Sequence, residues 1–339
     1  MNDYSIKCQK KLDDTFKIYL ESLYRKENFI PCYDRHVQYF KDGKKLPFKF
    51  EDFHSAFKAK NFFKDLTDCG SWLEFRWYQK SDVTKLHTAN FCKRDKLCPA
   101  CAVRRAYKQQ IKFMKILETD SQLKEKDWYY IVIPVKHNSS ETFETVYQRV
   151  EDVRRKIVKS LNNGKKGKSH NIWADFSGGM YSTETTRSKN GWNVHLNLMI
   201  NAPKGTKLPL KPIRNRKGQV SYQNGEIREF LMKYADSQIH NVSKIQDNTK
   251  LRDEIVEVLK YSLKFSSLTN QDLLEIFIKT RRKRLFGAFG NMYGKNIENV
   301  ELEGDEIVDD EFLELIFSRT NFMGYKLQSK LLKQRKDYE

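Results

Sequence analysis

Apolar positions along the chain switch between a period of two and a period near 3.6, and the switches outline a mixed protein. Trp72 to Gln79 (WLEFRWYQ) alternates and predicts a strand. A helix is expected from about Ala102 to Glu118. Trp128 to Val135 (WYYIVIPV) predicts a buried strand that ends near Pro134. From Glu144 to Asn162, Val146, Val150, Val153, Ile157, Val158 and Leu161 fall at helical spacing. A turn-rich stretch, Asn162 to His170, closes that helix. Met180 to Thr186 and Trp192 to Ile200 then predict a hairpin, joined by RSKNG with Asn190-Gly191 as its turn signal. Residues 203–218 hold three prolines and six Lys or Arg, and predict an exposed basic loop. Helices are expected over 224–237, 250–265 and 270–284, and short helices and loops over 1–65. No internal repeat is found. The order predicts an α+β fold, an antiparallel sheet flanked by helices.

At 339 residues, a prior of ~150 per domain suggests two compact units. The expected division is an N-terminal helical extension (1–65), a cysteine knuckle with a helix (66–123), a main domain (124–268) and a C-terminal helical region (269–339). With 39% hydrophobic residues and few Gly and Pro, collagen-like and wholly disordered classes are excluded. The longest strongly apolar run, Tyr129 to Val135, is too short to span a bilayer. The first residues lack the apolar stretch of a secretory signal. A soluble, cytoplasmic protein with no membrane partner is expected.

Charge narrows the classes further. The formal net charge is +19, although 296–318 carries nine acids and no Lys or Arg. The remainder is therefore more basic still, and its field attracts polyanions, nucleic acid first. The acidic segment suits DNA mimicry, partner docking or shielding of the basic face. Cations expected to grip DNA are Arg94, Arg104 and Arg105 around the cysteines, Lys204, Lys207, Lys211, Arg214, Arg216 and Lys217 in the basic loop, and Lys279 to Arg284, including Arg281, Arg282 and Arg284.

Four of the six cysteines cluster, as Cys69-x22-Cys92-x5-Cys98-x2-Cys101. A Cys-x2-Cys knuckle supplies two soft ligands from one turn, and structural Zn²⁺ takes four. Pro99 inside the knuckle favours the turn. His87 is an alternative ligand. Cys8 and Cys32 read as small buried apolar residues.

On the second hairpin strand, period two puts His195 and Asn197 on one face. The partner strand adds Glu184, with Ser182 and Thr186. A carboxylate, an imidazole and an amide oxygen together suit Mg²⁺ or Mn²⁺. The other reading is a solvated sheet face. On the 250–265 helix, Glu257, Tyr261 and Lys264 are spaced as one polar stripe. A phenol there suits attack on phosphorus if a metal ion and a lysine offset its high pKa; the alternative is an ordinary core-edge tyrosine. Glu257 lies one turn away and could activate water for release. Gly164-Lys165-Lys166-Gly167-Lys168-Ser169 is no phosphate loop, because a helix precedes it where a strand is required.

Taken in order, these motifs resemble the rolling-circle replication initiators (Rep) of small Gram-positive-type plasmids. Cys69-Gly70, Ala89-Asn90-Phe91-Cys92, Leu97-Cys98-Pro99-Ala100-Cys101 and Arg104-Arg105 are similar to their cysteine motif. Tyr181 to Thr186 and Asn190 to Asn197 are similar to their metal-binding strand pair. Glu257 to Lys264, with its Tyr-x-x-Lys core, is similar to their tyrosine helix, and Arg284-Leu285-Phe286-Gly287 through Gly290 to a basic motif beyond it. The resemblance covers roughly residues 66–295. It implies a His-hydrophobic-His (HUH) endonuclease sheet of about five strands and a divalent ion at Glu184, His195 and Asn197. It also implies attack by Tyr261 on origin DNA, single-stranded or in a hairpin. That attack leaves a 5′-phosphotyrosine and a 3′-OH primer, with a host helicase and polymerase as further partners. Asn197 stands where the family has a second histidine. Alternatives are a zinc-containing DNA-binding regulator without catalysis, or a mobilisation relaxase or single-strand transposase with the same chemistry.

Overall fold

The computed structural model describes residues 32–46, 48–58, 61–166, 171–214, 218, 220–245, 247–260, 262–295, 311–320 and 324–334. Its elements, in order, are α1 (32–41), α2 (Phe50–Ala56), α3 (Phe62–Asp68), β1 (Trp72–Tyr78), β2 (Val83–Ala89), α4 (Pro99–Thr119), α5 (Ser121–Lys124), β3 (Asp127–Pro134) and α6 (Phe143–Lys165). There follow β4 (Gly178–Ser188), β5 (Gly191–Ala202), β6 (Leu210–Arg214), β7 (Val220–Asn224), α7 (Gly225–Ala235), β8 (Asn241–Ile245), α8 (Asn248–Leu259), α9 (Asn270–Lys279), β9 (Phe286–Gly290), β10 (Glu311–Thr320) and β11 (Gly324–Gln334). This is α+β with antiparallel sheets flanked by helices. The chain divides into two compact units, one of 1–105, 270–278 and 301–339, the other of 106–269 and 279–300. No helix among the described residues is long and apolar enough to cross a membrane.

The first unit holds a four-stranded antiparallel sheet in the order β11-β10-β1-β2. Its short helices bring aromatic rings together: Tyr33, Phe48 and Phe57 all lie against Phe53, with centroids 4.9–5.8 Å apart. The sequence predicted a helical C-terminal region, but β10 and β11 are strands. In EFLELIFSRT, Leu313, Leu315 and Phe317 recur every second residue and are buried. The acidic composition around them obscured that alternation. The rest of the acidic segment, 296–310, lies outside the described residues.

The second unit is built on a five-stranded antiparallel sheet, β8-β3-β5-β4-β9. Helix α6 covers one face. Thr142 caps its start by accepting from the Thr145 N–H, and Val146, Val150, Val153, Ile157 and Leu161 are fully buried. At roughly 1.5–3 kcal/mol for each such side chain, this stripe outweighs any surface ion pair on the helix. On the other face Met180 and Met199, paired across β4 and β5, lie in one core with Trp128 and with Leu251, Ile255, Val258 and Leu259 of α8.

The predicted hairpin is β4–β5, with a tighter connection than the five-residue loop expected. Gly191 has φ +97, and a Cβ there would sit 2.4 Å from the Asn138 carbonyl oxygen, so glycine is required. The predicted loop at 203–218 is irregular over 203–209, but 210–214 is strand β6, which pairs with β7, Pro212 opposite Tyr222 and Arg214 opposite Val220. The basic Gly-containing motif is strand β9, which pairs along Gly178–Ser182 of β4.

Candidate functional site: a carboxylate–imidazole pair and a cysteine cluster

In the second unit, Glu184 and His195 are direct cross-strand partners, and Asn197 is the next residue along the same face of β5. His195 Nε2 lies 3.0 Å from Glu184 Oε2, and Asn197 Nδ2 donates to the same oxygen at 3.3 Å. All three sequence-predicted groups therefore converge. They close the polar end of a face whose other end is the Met180/Met199 core.

Helix α8 is shorter than predicted. It ends at Leu259, because Lys260 turns extended (φ −49, ψ 152). The chain is then drawn into the sheet. Leu263 bridges Thr185 in parallel, the Thr185 N–H donates to the Ser262 carbonyl at 2.9 Å, and the Lys264 N–H to the Thr185 carbonyl at 3.4 Å. Glu257 and Lys264 thus do not share a helical stripe. Lys264 Nζ sits 2.6 Å from Glu184 Oε1. Glu257, exposed near the end of α8, pairs with Lys260 at 3.4 Å. Tyr261 lies outside the described residues.

Burial raises the pKa of Glu184, but its hydrogen bond to His195, then the bond to Lys264, prevail and bring it down to about 2. It is an anion at neutral pH. Tyr130, on β3, is a residue the motifs did not flag. Its hydroxyl donates to Asn197 Oδ1 at 3.3 Å. Burial, then the charges of Glu254 and Glu257, push its pKa up, so it remains a protonated donor. Alternation in WYYIVIPV put Tyr130 on one face of its strand, but only the β3–β5 register, with Val132 opposite Asn197, brings it to the site.

One carboxylate, one imidazole and one amide within a few ångströms form a donor set that fits a hard divalent ion. Asn197 presents its nitrogen to Glu184 and its oxygen to Tyr130. The amide would have to turn over to serve as an oxygen ligand.

In the first unit, the Sγ atoms of Cys69, Cys92, Cys98 and Cys101 all lie within 4.8 Å of one another and are buried. Cys69 is 3.6 Å from both Cys98 and Cys101, and Cys92 is 3.5 Å from Cys101. A zinc tetrahedron with Zn–S near 2.3 Å has edges of about 3.8 Å. The four can hold a metal such as zinc. Hydrogen bonding among the thiols pushes Cys92 and Cys101 up and Cys69 down: without a cation, further thiolates are disfavoured. His87 is not part of the group; its ring is exposed and 4.0 Å from Glu74.

The knuckle is made locally. Cys98 N–H donates to the Arg94 carbonyl at 2.8 Å, and Pro99 opens α4, where a missing N–H costs nothing. Asn90 joins the two cysteine loops: its Nδ2 donates to the Asp68 carbonyl at 2.6 Å, and its Oδ1 accepts from the Trp72 N–H at 3.0 Å.

The basic residues divide into two kinds. Arg94 donates to the Cys92 carbonyl at 3.0 Å, faces Asp65 and covers the Phe62 ring, so it braces the knuckle. Arg104 stacks on Phe91, and Arg105 pairs with Asp95 at 2.5 Å. Lys211, Arg214, Arg281, Arg282 and Arg284 are exposed. Arg216 and Lys217 lie outside the described residues.

Residues 83–206 match a family model described as "Replication protein". That span contains Cys92, Cys98, Cys101, Glu184, His195 and Asn197; Cys69, Glu257, Tyr261 and Lys264 fall outside it. The chain is 24% identical over 133 residues to "Protein rep" of Staphylococcus aureus. The match covers 39% of this chain and 57% of that relative's length. No solved structure matches. Both matches agree with the resemblance to plasmid replication initiators.

Proposed function

We propose that the chain initiates rolling-circle replication of a plasmid by nicking and rejoining origin DNA. The observation that carries this reading is the stitching of Ser262–Lys264 onto Thr185, beside the Glu184–His195 pair. Tyr261 immediately precedes that stitch in the sequence. The matches to replication proteins support origin DNA as the substrate class.

Tyr261 is the proposed nucleophile. Its oxygen bonds to phosphorus, the 3′ oxygen leaves with a proton, and the phosphodiester is kept as a 5′-phosphotyrosine. Attack by a 3′-OH reverses the step and rejoins the strand. Glu184, His195 and Asn197 would hold Mn²⁺ or Mg²⁺, which supplies charge neutralisation at the scissile phosphate. Lys264 holds the Glu184 carboxylate in place and adds positive charge beside the phosphate. Glu257 is the proposed base for water in hydrolytic release. Cys69, Cys92, Cys98 and Cys101 would hold Zn²⁺ in a structural role. Exposed cations at Lys211, Arg214, Arg281, Arg282 and Arg284 are assigned to the phosphate backbone; Arg94, Arg104 and Arg105 shape the cysteine surface. A host helicase and polymerase would act on the product.

The test is a nicking assay on supercoiled plasmid carrying the chain's own origin, with Mn²⁺. A covalent 5′-linked product is expected, absent in Tyr261→Phe and reduced about 100-fold or more in Glu184→Ala. Tight binding without cleavage by the wild type would point instead to a DNA-binding regulator.

A further inference from the structure

The β6–β7 ribbon has an unusual surface for a two-stranded element. Val220 is 43% exposed and Tyr222 47%. In the antiparallel register Pro212 faces Tyr222 and Arg214 faces Val220, so these four share one side of the ribbon. Lys211, also exposed, lies on the other. An apolar, aromatic surface flanked by cations is costly to leave bare in water and chemically suited to one kind of ligand. Unpaired nucleobases stack on aromatic rings while cations hold the phosphates.

The anchoring of the ribbon gives that surface a location. The Tyr222 N–H donates to Asn241 Oδ1 at 3.0 Å. Asn241 pairs with Val132 across β8 and β3, and Val132 pairs with Asn197 across β3 and β5. Tyr222 is thus tethered to Asn241, the residue that ends the transverse row carrying Asn197. Two strand steps of ~4.8 Å separate Asn241 from Asn197, and the reach of the Asn241 side chain to Tyr222 adds about 5 Å, so the Tyr222 backbone stands within roughly 15 Å of the candidate site along that path. A few stacked nucleotides, at ~3.4 Å each, cover that distance.

We propose that the Pro212/Tyr222 side of the ribbon is a stacking platform for single-stranded DNA, holding bases a few nucleotides from the bond that is cut. The proposal rests on the nicking function and deepens it by assigning a base-binding surface. A ribbon lying in a duplex groove would instead use polar contacts to base edges. The exposed ring and the apolar neighbours beside it favour the single strand.

The experiment is fluorescence anisotropy on the full chain with a labelled 20-nucleotide oligo(dT) and, separately, a 20-base-pair duplex. Tyr222→Ala is expected to weaken oligo(dT) binding about tenfold while leaving the salt slope unchanged. Tyr222→Trp retains binding. Lys211→Ala is expected to reduce the salt slope by about one instead. Unchanged melting temperature in each variant establishes that the fold is intact. Equal oligo(dT) affinity in Tyr222→Ala and wild type, or a loss confined to the duplex, overturns the platform. Origin nicking by the wild type is scored in parallel: if it persists while Tyr222→Ala binds normally, only the platform fails, and if it is absent, the function itself fails.

Discussion

The cysteine cluster and the carboxylate–imidazole pair both lie beside antiparallel hairpins, yet they are assembled differently. The cluster draws four identical soft ligands from loops that short-range structure brings together: the end of α3, the loop after β2, and the turn into α4. The pair draws unlike hard groups from positions fixed by strand register, and its lysine from a segment that leaves a helix to join the sheet. One is buried and meets nearly the geometry a zinc ion requires. The other is partly open, and its carboxylate already holds a lysine at 2.6 Å. A closed set of four soft ligands suits a staple, whereas an open set with a competing internal cation suits reversible contact with a charged substrate.

The largest expected effect lies at the staple. Cys98→Ser or Cys101→Ser removes one ligand from a closed set. Bound zinc, expected at one ion per chain by mass spectrometry, should be lost. Structural zinc contributes on the order of 10 kcal/mol in small zinc domains, so the substitution should lower stability by several kcal/mol on thermal unfolding. Full zinc and unchanged melting in both variants would remove the metal from this cluster. Arg94→Ala should reduce stability less, since Arg94 braces the Cys92 loop without being a ligand.

How far each cluster could be seen in the sequence follows from the same difference. Cys-x2-Cys and Pro99 announce themselves because their geometry is local. Glu184, His195 and Asn197 were placed together because period two and the Asn-Gly turn fix a hairpin's faces, and the register makes Glu184 the direct partner of His195. Tyr130 was hidden, because it reaches Asn197 from a strand more than 60 residues away in sequence, and no local pattern encodes that pairing. Lys264 was put on the wrong element. Helical spacing continues through residue 263, but bonds to Thr185 end the helix at 259. Strands β9 and β10 were missed for compositional reasons, two glycines in the first and acidic neighbours in the second.

A middling effect should come from making the open site more like the closed one in donor softness. Asn197→His replaces an amide with a second imidazole beside His195. Nitrogen donors favour Mn²⁺ over Mg²⁺, so Mn²⁺ affinity, read by electron paramagnetic resonance, should rise about tenfold with little change for Mg²⁺. Tyr130→Phe should act in the same direction more weakly. It removes the hydroxyl that holds Asn197 Oδ1, and the amide is then free to turn its oxygen to an ion. If neither variant changes Mn²⁺ binding, Asn197 is not at the ion, and its bond to Glu184 is its whole role.

The smallest effect separates acid sensitivity of the sheet from that of the staple. His240 is buried at the base of the β6–β7 ribbon, with Nε2 accepting from the Asn224 N–H at 3.0 Å and Nδ1 facing the Gln238 carbonyl at 3.3 Å. Asn224 in turn caps α7 by accepting from the Ile227 N–H. This arrangement needs a neutral ring. Burial, the largest influence, holds the His240 pKa below its ordinary value of 6.5 against the pull of the Gln238 carbonyl, and the nearby Arg228 charge acts with burial. Below that value the unfolded chain therefore binds more protons than the folded one. Stability should fall as the pH drops from about 6.5 to the folded-state pKa, by at most ~1.4 kcal/mol per pH unit, and level off beneath it. His240→Gln should flatten that slope. Zinc release, followed with a chelating dye over the same range, reports the cysteines independently, because thiolate ligands are also lost to acid. If the wild type loses stability only in step with zinc, the staple alone carries the acid sensitivity, and His240 has no part in it.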